Sequence, residues 1–397
     1  MAAPKLRFKE FKNDWVKTNL GEVVKFSNGK RVPLSESERQ KRQGSYRYYG
    51  ASGVIDYLDD YLFDGEYILI GEDGANIITR SSTLAFVVTG KFWVNNHAHI
   101  FQSKEGNNIF LAAYLESLNF EKFNSGTAQP KLNLENLKKV PVANPTKEEQ
   151  TKIATFLSTV DEKISQLSQK LHLLSQYKQG MMKKLFSQQI RFKADDGSQF
   201  EEWVTKTIKE LNLYISDGNY GELYPTSAQF VSHGVPFIRA NNIKNLKVTN
   251  NDMRFIDENL HQILNSGHLK TNDIIVTTRG DIGMVALVDS SHEGSNINAQ
   301  ICLLRVVDQS QLSPQFLLYF LDSSFGQKQF KELQTGTALK QLPKKSLDKI
   351  ITLVPSINEQ TKIANFLSAI DQKIDVVSEQ LKQAKLWKKG LLQQMFV

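Results

Sequence analysis

The chain repeats itself, and no other feature of the sequence limits its possible folds as strongly. Glu149-Gln150-Thr151-Lys152-Ile153-Ala154 returns as Glu359-Gln360-Thr361-Lys362-Ile363-Ala364. The match runs on without a gap, at a shift of 210 positions, through Phe156-Leu157-Ser158, Asp161, Lys163-Ile164, Leu171, Lys178, Gly180 and Phe186. Backwards it reaches Pro145 with Pro355, Leu132 with Leu342, and Gly126-Thr127-Ala128 with Gly336-Thr337-Ala338. Near the start of each half Trp15-Val16 answers Trp203-Val204, a shift of 188, so the second half carries about 22 additional residues in its interior. This is a tandem duplication whose connecting parts stayed alike while its interiors diverged.

The repeated segment reads as a long helix. Pro145-Thr146-Lys147-Glu148-Glu149 and Pro355-Ser356-Ile357-Asn358-Glu359 each place a proline before a Thr/Ser-x-x-Glu capping box, in which hydroxyl and carboxylate satisfy the first free amides. Apolar residues then follow a four-three spacing: Ile153, Leu157, Val160, Ile164, Leu167, Leu171, Leu174, Met181 and Leu185, broken by Lys178. The second copy runs Ile363, Leu367, Ile370, Ile374, Val377, Leu381, Ala384, Leu391 and Met395, broken by Lys388. Such a heptad with polar flanks is a coiled-coil seam. Gly180 and Gly390 recur inside it and suggest close backbone approach or a bend. Antiparallel pairing of the two seams would close the chain into a pseudo-two-fold dumbbell. About 40 helical residues span roughly 60 Å, enough to act as a ruler between two domains. The expected divisions are a first domain over 1–145, a spacer helix over 146–186, a second domain over 187–355 and a C-terminal spacer helix over 356–397.

Each globular half reads as a mixed α/β (α+β) domain with short strands. They are Tyr67 to Ile70 and Leu84 to Val88 in the first, and Asp273 to Val276 and Met284 to Val288 in the second. Gly71-Glu72-Asp73-Gly74 and Arg279-Gly280-Asp281-Ile282-Gly283 are turns that follow or separate them. Asn95-Asn96-His97-Ala98-His99-Ile100 is echoed by Asn296-Ile297-Asn298-Ala299-Gln300-Ile301. Amphipathic helices near Ile109 to Phe123 and Gln315 to Leu333 complete the halves.

Charge is concentrated rather than large. Residues 1–50 hold 12 Lys and Arg against 5 acids, a surplus of seven that equals the +7 of the whole chain. There Arg39, Lys41, Arg42 and Arg47 alternate with Tyr46, Tyr48 and Tyr49, pairing cations that seek phosphate with rings that can stack on bases. A solvated loop is the competing reading of that stretch. One cysteine, Cys302, excludes an internal disulfide and favours a reducing cytosol; its apolar neighbours make it a buried small hydrophobe. With no apolar leader at the start and no run near the ~20 residues of a membrane span, a cytoplasmic protein is expected.

Catalytic signatures are missing. No phosphate-binding loop, nucleophile elbow or zinc helix occurs. Gly71-x-x-Gly74 and Gly280-x-x-Gly283 are too short for a dinucleotide fingerprint. His97-x-His99 has metal-pair spacing, but no cysteine or second cluster accompanies it. Asn144-Pro145 begins like an amino-methyltransferase motif without the Pro-aromatic pair that would complete it.

Two divergent domains alternate with two helices, each introduced by Pro-x-x-x-Glu-Gln-x-x-Ile and ended by Lys-x-Gly-(Leu/Met)-(Leu/Met)-x-x-(Leu/Met)-Phe. Over its whole length this pattern resembles the specificity (S) subunit of Type I restriction-modification systems. The resemblance implies a non-catalytic reader of an asymmetric, bipartite double-stranded DNA site. It also implies recruitment of two methyltransferase (M) subunits and, through them, ATP-dependent restriction (R) subunits. S-adenosylmethionine, ATP and Mg are then expected on those partners, with no cofactor or metal in this chain. A stand-alone coiled-coil DNA-binding regulator, or an adaptor, is the alternative; such a regulator would normally dimerise from one copy of each part, whereas this chain holds both.

Polar and cationic residues near the inferred loops are the candidates for DNA contact. In the first domain these are Lys30, Arg31, Arg39, Lys41, Arg42, Arg47, Arg80, Asn95 and Asn96. In the second they are Asn219, Tyr220, Arg239, Asn241, Asn242, Lys244, Thr278, Arg279, Asn296 and Asn298. For each asparagine the competing role is to form a turn.

Overall fold

The computed structural model describes residues 4–126, 129–337 and 339–396. Thr127, Ala128 and Ala338 of the repeated Gly-Thr-Ala triplet lie outside them, as do residues 1–3 and 397 at the ends of the expected domains. The chain forms two compact units, Met1–Gln169 with Ser378–Val397, and Lys170–Val377. Both long helices, Lys147–Phe186 and Ile357–Met395, are divided between the units. Each unit therefore holds the start of one helix and the end of the other, the antiparallel arrangement expected of the seams. The division passes through the helices rather than at their ends.

Each unit closes the same way. In the first, Val16–Asn19 pairs antiparallel with Pro141–Asn144, Val16 opposite Asn144. In the second, Val204–Thr207 pairs with Ile351–Val354, Val204 opposite Val354. These are the same positions under the shifts of 188 and 210, so the repeated margins of each half are joined before the divergent interior is enclosed.

The interior is a layered α+β core. In the first unit the strands Val24–Phe26, Ala98–Ser103, Tyr67–Gly71 and Ala85–Val88 form an antiparallel sheet in that order. Alternation sends Ile68, Ile70 and Phe101 toward helix Asn108–Ser117 and the start of the first long helix. Leu69 and Ile100 face Phe63, Phe92 and Val94 of a second sheet. The second unit repeats the plan: Ile274, Val276, Cys302 and Leu304 pack on helices, Ile275 and Leu303 on Ile238 and Ile297. Its longer interior includes residues 239–253, which join strands Val235–Ile238 and Arg254–Ile256 where Ala51 and Ser52 suffice in the first unit. This connection adds Ile243–Lys244 and Leu246–Val248 to the edge of the main sheet.

The helix starts differ from the expected capping boxes. The Glu149 amide does donate to Thr146 Oγ1 at 3.4 Å. Its carboxylate, however, is buried and accepts from Arg7 Nε and Nη2 at 2.7 and 2.8 Å and from Trp15 Nε1 at 3.2 Å. Glu359 likewise accepts from Arg191 Nε and Nη2 at 3.2 and 2.9 Å and from Trp203 Nε1 at 3.0 Å, and the buried Ser356 hydroxyl has no partner among the described residues. A carboxylate that can satisfy a guanidinium and an indole inside the protein does not turn back to a solvated amide. The next residue is equally committed: Gln150 donates to the Pro145 carbonyl and Gln360 to that of Pro355, and their side-chain oxygens accept from the Asn107 and Ser313 amides.

Along the seam Ile153, Leu157, Val160 and Leu167 are buried, and Ile164, Leu171 and Leu174 half-buried; in the second helix Ile363, Leu367, Ile370, Val377 and Leu381 are buried and Ile374 half-buried. The interrupting lysines are paired: Lys178 with Asp371 at 2.7 Å and Lys388 with Asp161 at 2.5 Å. At the helix ends Phe396 packs on Trp15, Phe110 and Tyr114, and Phe186 on Phe316 and Phe320. A Cβ on Gly180 or Gly390 would meet nothing within 4 Å, so the close approach expected there does not occur among the described residues. The helix expected over Gln315 to Leu333 is broken: Ser323 ends Pro314–Asp322 and caps Ser324–Glu332 by accepting from the Gly326 amide. Among the described residues no helix is long and apolar enough to cross a membrane.

Candidate DNA-reading surfaces

In the first unit helix Glu36–Lys41 begins at a capping box, Ser35 with Glu38, and leads into the hairpin Gln43–Gly50 and Gly53–Leu58. Most arginines proposed for DNA contact are tied to acids here. Arg31 bonds Glu72 at 2.8 Å and the Ala98 carbonyl at 2.6 Å. Arg39 bonds Asp56 at 3.0 Å, Arg42 bonds Asp59 at 3.0 Å while lying over Trp93, and Arg80 holds Glu116 at 3.0 Å. Such arginines can still lend a free N–H to phosphate, but much of their charge is spent.

Lys30, Lys41 and Arg47 are exposed, and no described carboxylate pairs with them. Arg47 faces Tyr57 across the hairpin, and its pKa is raised, first by a hydrogen bond with Tyr49. The same ribbon exposes Val54, Ile55 and Tyr57, while Tyr46 packs on Tyr61, which also carries Lys91 over its ring at 4.6 Å. A two-stranded ribbon with a cation and rings on its surface has the dimensions that a DNA major groove admits. Tyr57, Tyr61 and Lys91 join these surface groups without being among the sequence candidates; the Gly50-Ala51-Ser52-Gly53 turn between alternating tyrosines is the signal the sequence offers for the ribbon.

Most of the candidate asparagines, Asn95, Asn219, Asn242, Asn296 and Asn298, turn inward. Asn95 is buried and accepts from the His97 amide at 2.9 Å; Asn96 stays exposed. In the second unit Asn219 bonds the Ser266 carbonyl and the Asn265 amide at 2.9 and 3.2 Å. Asn242 donates to Thr249 and Asn251 carbonyls and accepts from the Arg239 amide. Asn296 pairs with His261, Asn298 brackets Gln300, and the Thr278 amide donates to the Gln300 carbonyl at 2.7 Å. These buried side chains are engaged by backbone and side-chain groups of irregular loops, which occupy the polar atoms they would otherwise present at the surface. Arg239 is paired with Asp252 at 2.9 Å. Tyr220, Asn241, Lys244 and Arg279 remain exposed.

The histidine pair is split. His97 bonds Asp73 at 2.9 Å on the surface. His99 is buried, donates from Nε2 to the Leu132 carbonyl at 2.7 Å and accepts at Nδ1 from Asn28 at 2.8 Å, which defines a neutral ring. Burial also lowers its pKa. Among the described residues no group of His, Cys, Asp and Glu is arranged to hold a metal ion. Cys302 is fully buried and its thiol is pushed up to about 12 by desolvation, as fits a core residue.

Known proteins share this frame. The sequence model of the Type I restriction modification DNA specificity domain matches residues 12–175 and 200–386. A Haemophilus influenzae protein described as a type I restriction enzyme specificity subunit is 27% identical over 376 residues, covering 92% of this chain and 90% of its own. The MjaVIII type I restriction enzyme specificity subunit of Methanocaldococcus jannaschii is 23% identical over 396 residues, 96% and 91% of the two chains. The crystal structure of a Type I restriction-modification S subunit from M. genitalium matches the fold with a TM-score of 0.66 at 17% identity, covering 100% of this chain and 99% of that one.

Proposed function

The chain belongs to the Type I restriction modification DNA specificity family, and on that premise we propose that it reads an asymmetric, bipartite DNA site, one half-site per unit. The observation that carries this reading is a single frame built twice with unlike exposed readers. The first unit presents the Arg47 and Tyr57 ribbon, the second Tyr220 and Arg279. Two methyltransferase subunits would dock on the duplicated scaffold, because equivalent surfaces accept equivalent partners, and restriction subunits would join through them. The chain itself is the non-catalytic member, working in the cytoplasm. S-adenosylmethionine, ATP and Mg belong to the partners, and the methyltransferase subunits flip the target adenine.

The test is co-expression with the methyltransferase subunit, followed by methylome sequencing of host DNA. The expected result is a methylated-adenine motif of two short half-sites around a fixed unread gap, lost when this chain is deleted. A motif that persists without the chain, or DNA binding with no sequence preference, would favour the regulator or adaptor instead.

The free cations of the first unit give a second prediction. Lys30→Ala, Lys41→Ala and Arg47→Ala combined should weaken binding to every sequence. If all three meet phosphates, the slope of log affinity against log salt should become shallower by about 2–3, near 0.9 per contact. An unchanged slope in a salt titration would remove them from the interface.

A further inference from the structure

Two exposed arginines of the second unit, Arg254 and Arg279, have no carboxylate pair among the described residues. Arg191, Arg239 and Arg305 are each held by a carboxylate, and Arg254 lies over Phe230. Arg279 is exposed, and its guanidinium carbon lies 5.3 Å from the centre of the Tyr220 ring, with no carboxylate on it among the described residues.

Both members of this stack are anchored from below. The backbone at Thr278 donates to the Gln300 carbonyl at 2.7 Å and accepts from the Leu342 amide at 2.9 Å, and Arg279 itself bridges to Gln341. Tyr220 follows Gly218, where a Cβ would lie 2.4 Å from the Asn298 carbonyl carbon and oxygen, so only glycine fits that approach. Asn219, between them, is fixed by Ser266 and Asn265. A guanidinium lying on a ring keeps its edge free, and that edge carries paired N–H donors in one plane. Held in advance, the fork matches the O6 and N7 acceptors of guanine in the major groove.

The repeat separates a base contact from a phosphate contact. Asp73 bridges to Lys131 in the first unit as Arg279 bridges to Gln341 in the second, and Lys131 and Gln341 are equivalent under the shift of 210. One place in the frame thus carries an acid in one unit and an arginine in the other. Phosphates are alike in both half-sites, so a phosphate anchor would keep its sign; a residue that reads a base must change when the base does. Building on the DNA-reading function above, we propose that Arg279, stacked on Tyr220, reads a guanine in the half-site served by the second unit.

The experiment compares methylomes of hosts carrying the methyltransferase subunits with wild-type chain, Arg279→Ala or Arg279→Lys. Arg279 is on the surface, and the abundance of the purified complex checks that each variant assembles. Wild type should show an invariant guanine at one position of one half-site. Arg279→Ala should lose discrimination there by about 10- to 100-fold while the other half-site stays intact. Arg279→Lys, which keeps the charge and loses the fork, should relax the same position. An unchanged motif with Arg279→Ala overturns the inference. So does a uniform loss at all positions that lysine restores, the mark of a phosphate contact. A wild-type chain on which no motif depends overturns the DNA-reading function and the inference with it.

Discussion

Glu359→Ala is expected to destabilise the second unit by about 3–5 kcal/mol, the usual cost of removing one partner of a buried ion pair. Glu359 is fully buried, and its carboxylate meets Arg191 twice and Trp203 once. Alanine would leave a guanidinium only 15% exposed with no carboxylate except the solvent-exposed Glu202 at 3.4 Å, and an indole N–H without an acceptor. Glu149→Ala would do the same to Arg7 and Trp15. At about 2–4 °C per kcal/mol for a domain of this size, the melting midpoint should fall by roughly 6–20 °C. Glu359→Gln keeps the shape and one acceptor oxygen and should lose less. If thermal denaturation of the full chain moved by under about 2 °C in both alanine variants, these clamps would not be what secures the start of each helix.

That clamp also marks where the sequence stopped being readable. The heptads and the main strands follow from side-chain periodicity, which is local. Strand Tyr67–Gly71 and its equivalent Ile274–Thr277 accordingly lie within a residue of their expected positions. The closing strand pairs were implicit in the two shifts, because repeated margins with no interior in common can only be joined to each other. The destinations of Glu149 and Glu359 are not local, since Arg7 and Arg191 lie more than 140 residues away in the chain. A signal did exist: Leu6-Arg7-Phe8-Lys9 is answered by Ile190-Arg191-Phe192-Lys193. Its shift of 184 differs from the 188 of Trp15 and Trp203 because a turn at Ala194 to Ser198 lengthens the second copy. Phe8 packs on Phe156 as Phe192 packs on Phe366, so the segment is part of the duplicated frame. The candidate reading residues were less legible still. Composition identifies an asparagine or arginine near a loop, but burial of Asn242 and pairing of Arg239 depend on backbone groups and acids that only the fold brings close.

Lys178→Met and Lys388→Met should behave unequally although they remove the same break in the same apolar stripe. Lys178 sits 2.7 Å from Asp371 and over the ring of Tyr319, whose hydroxyl donates to Asp371 at 2.8 Å. Nearby Asp322 is half-buried; desolvation raises its pKa, and Lys178 opposes that rise. Methionine would complete the stripe but leave two carboxylates with no cation between them. The expected cost is about 2–3 kcal/mol, below the fully buried range because Asp371 keeps 23% of its side-chain exposure. The sign with pH follows: a carboxyl whose folded pKa is raised penalises the folded state above that pKa. The deficit should therefore be largest near neutrality and shrink as pH falls and Asp322 protonates. Among the described residues of the first unit there is no such cluster. The Trp15 to Phe110 and Trp203 to Phe316 contacts align the two cores so that Ala113 stands where Tyr319 does, and Glu116, at the place of Asp322, is already held by Arg80. Lys388 is paired with half-exposed Asp161 among the described residues, and an exposed pair is worth about 0–1 kcal/mol. Denaturant titrations of both variants at neutral and acidic pH measure the difference. Equal losses would mean that the lysines serve the helix pair alike, and that the acids around Lys178 do not depend on its charge.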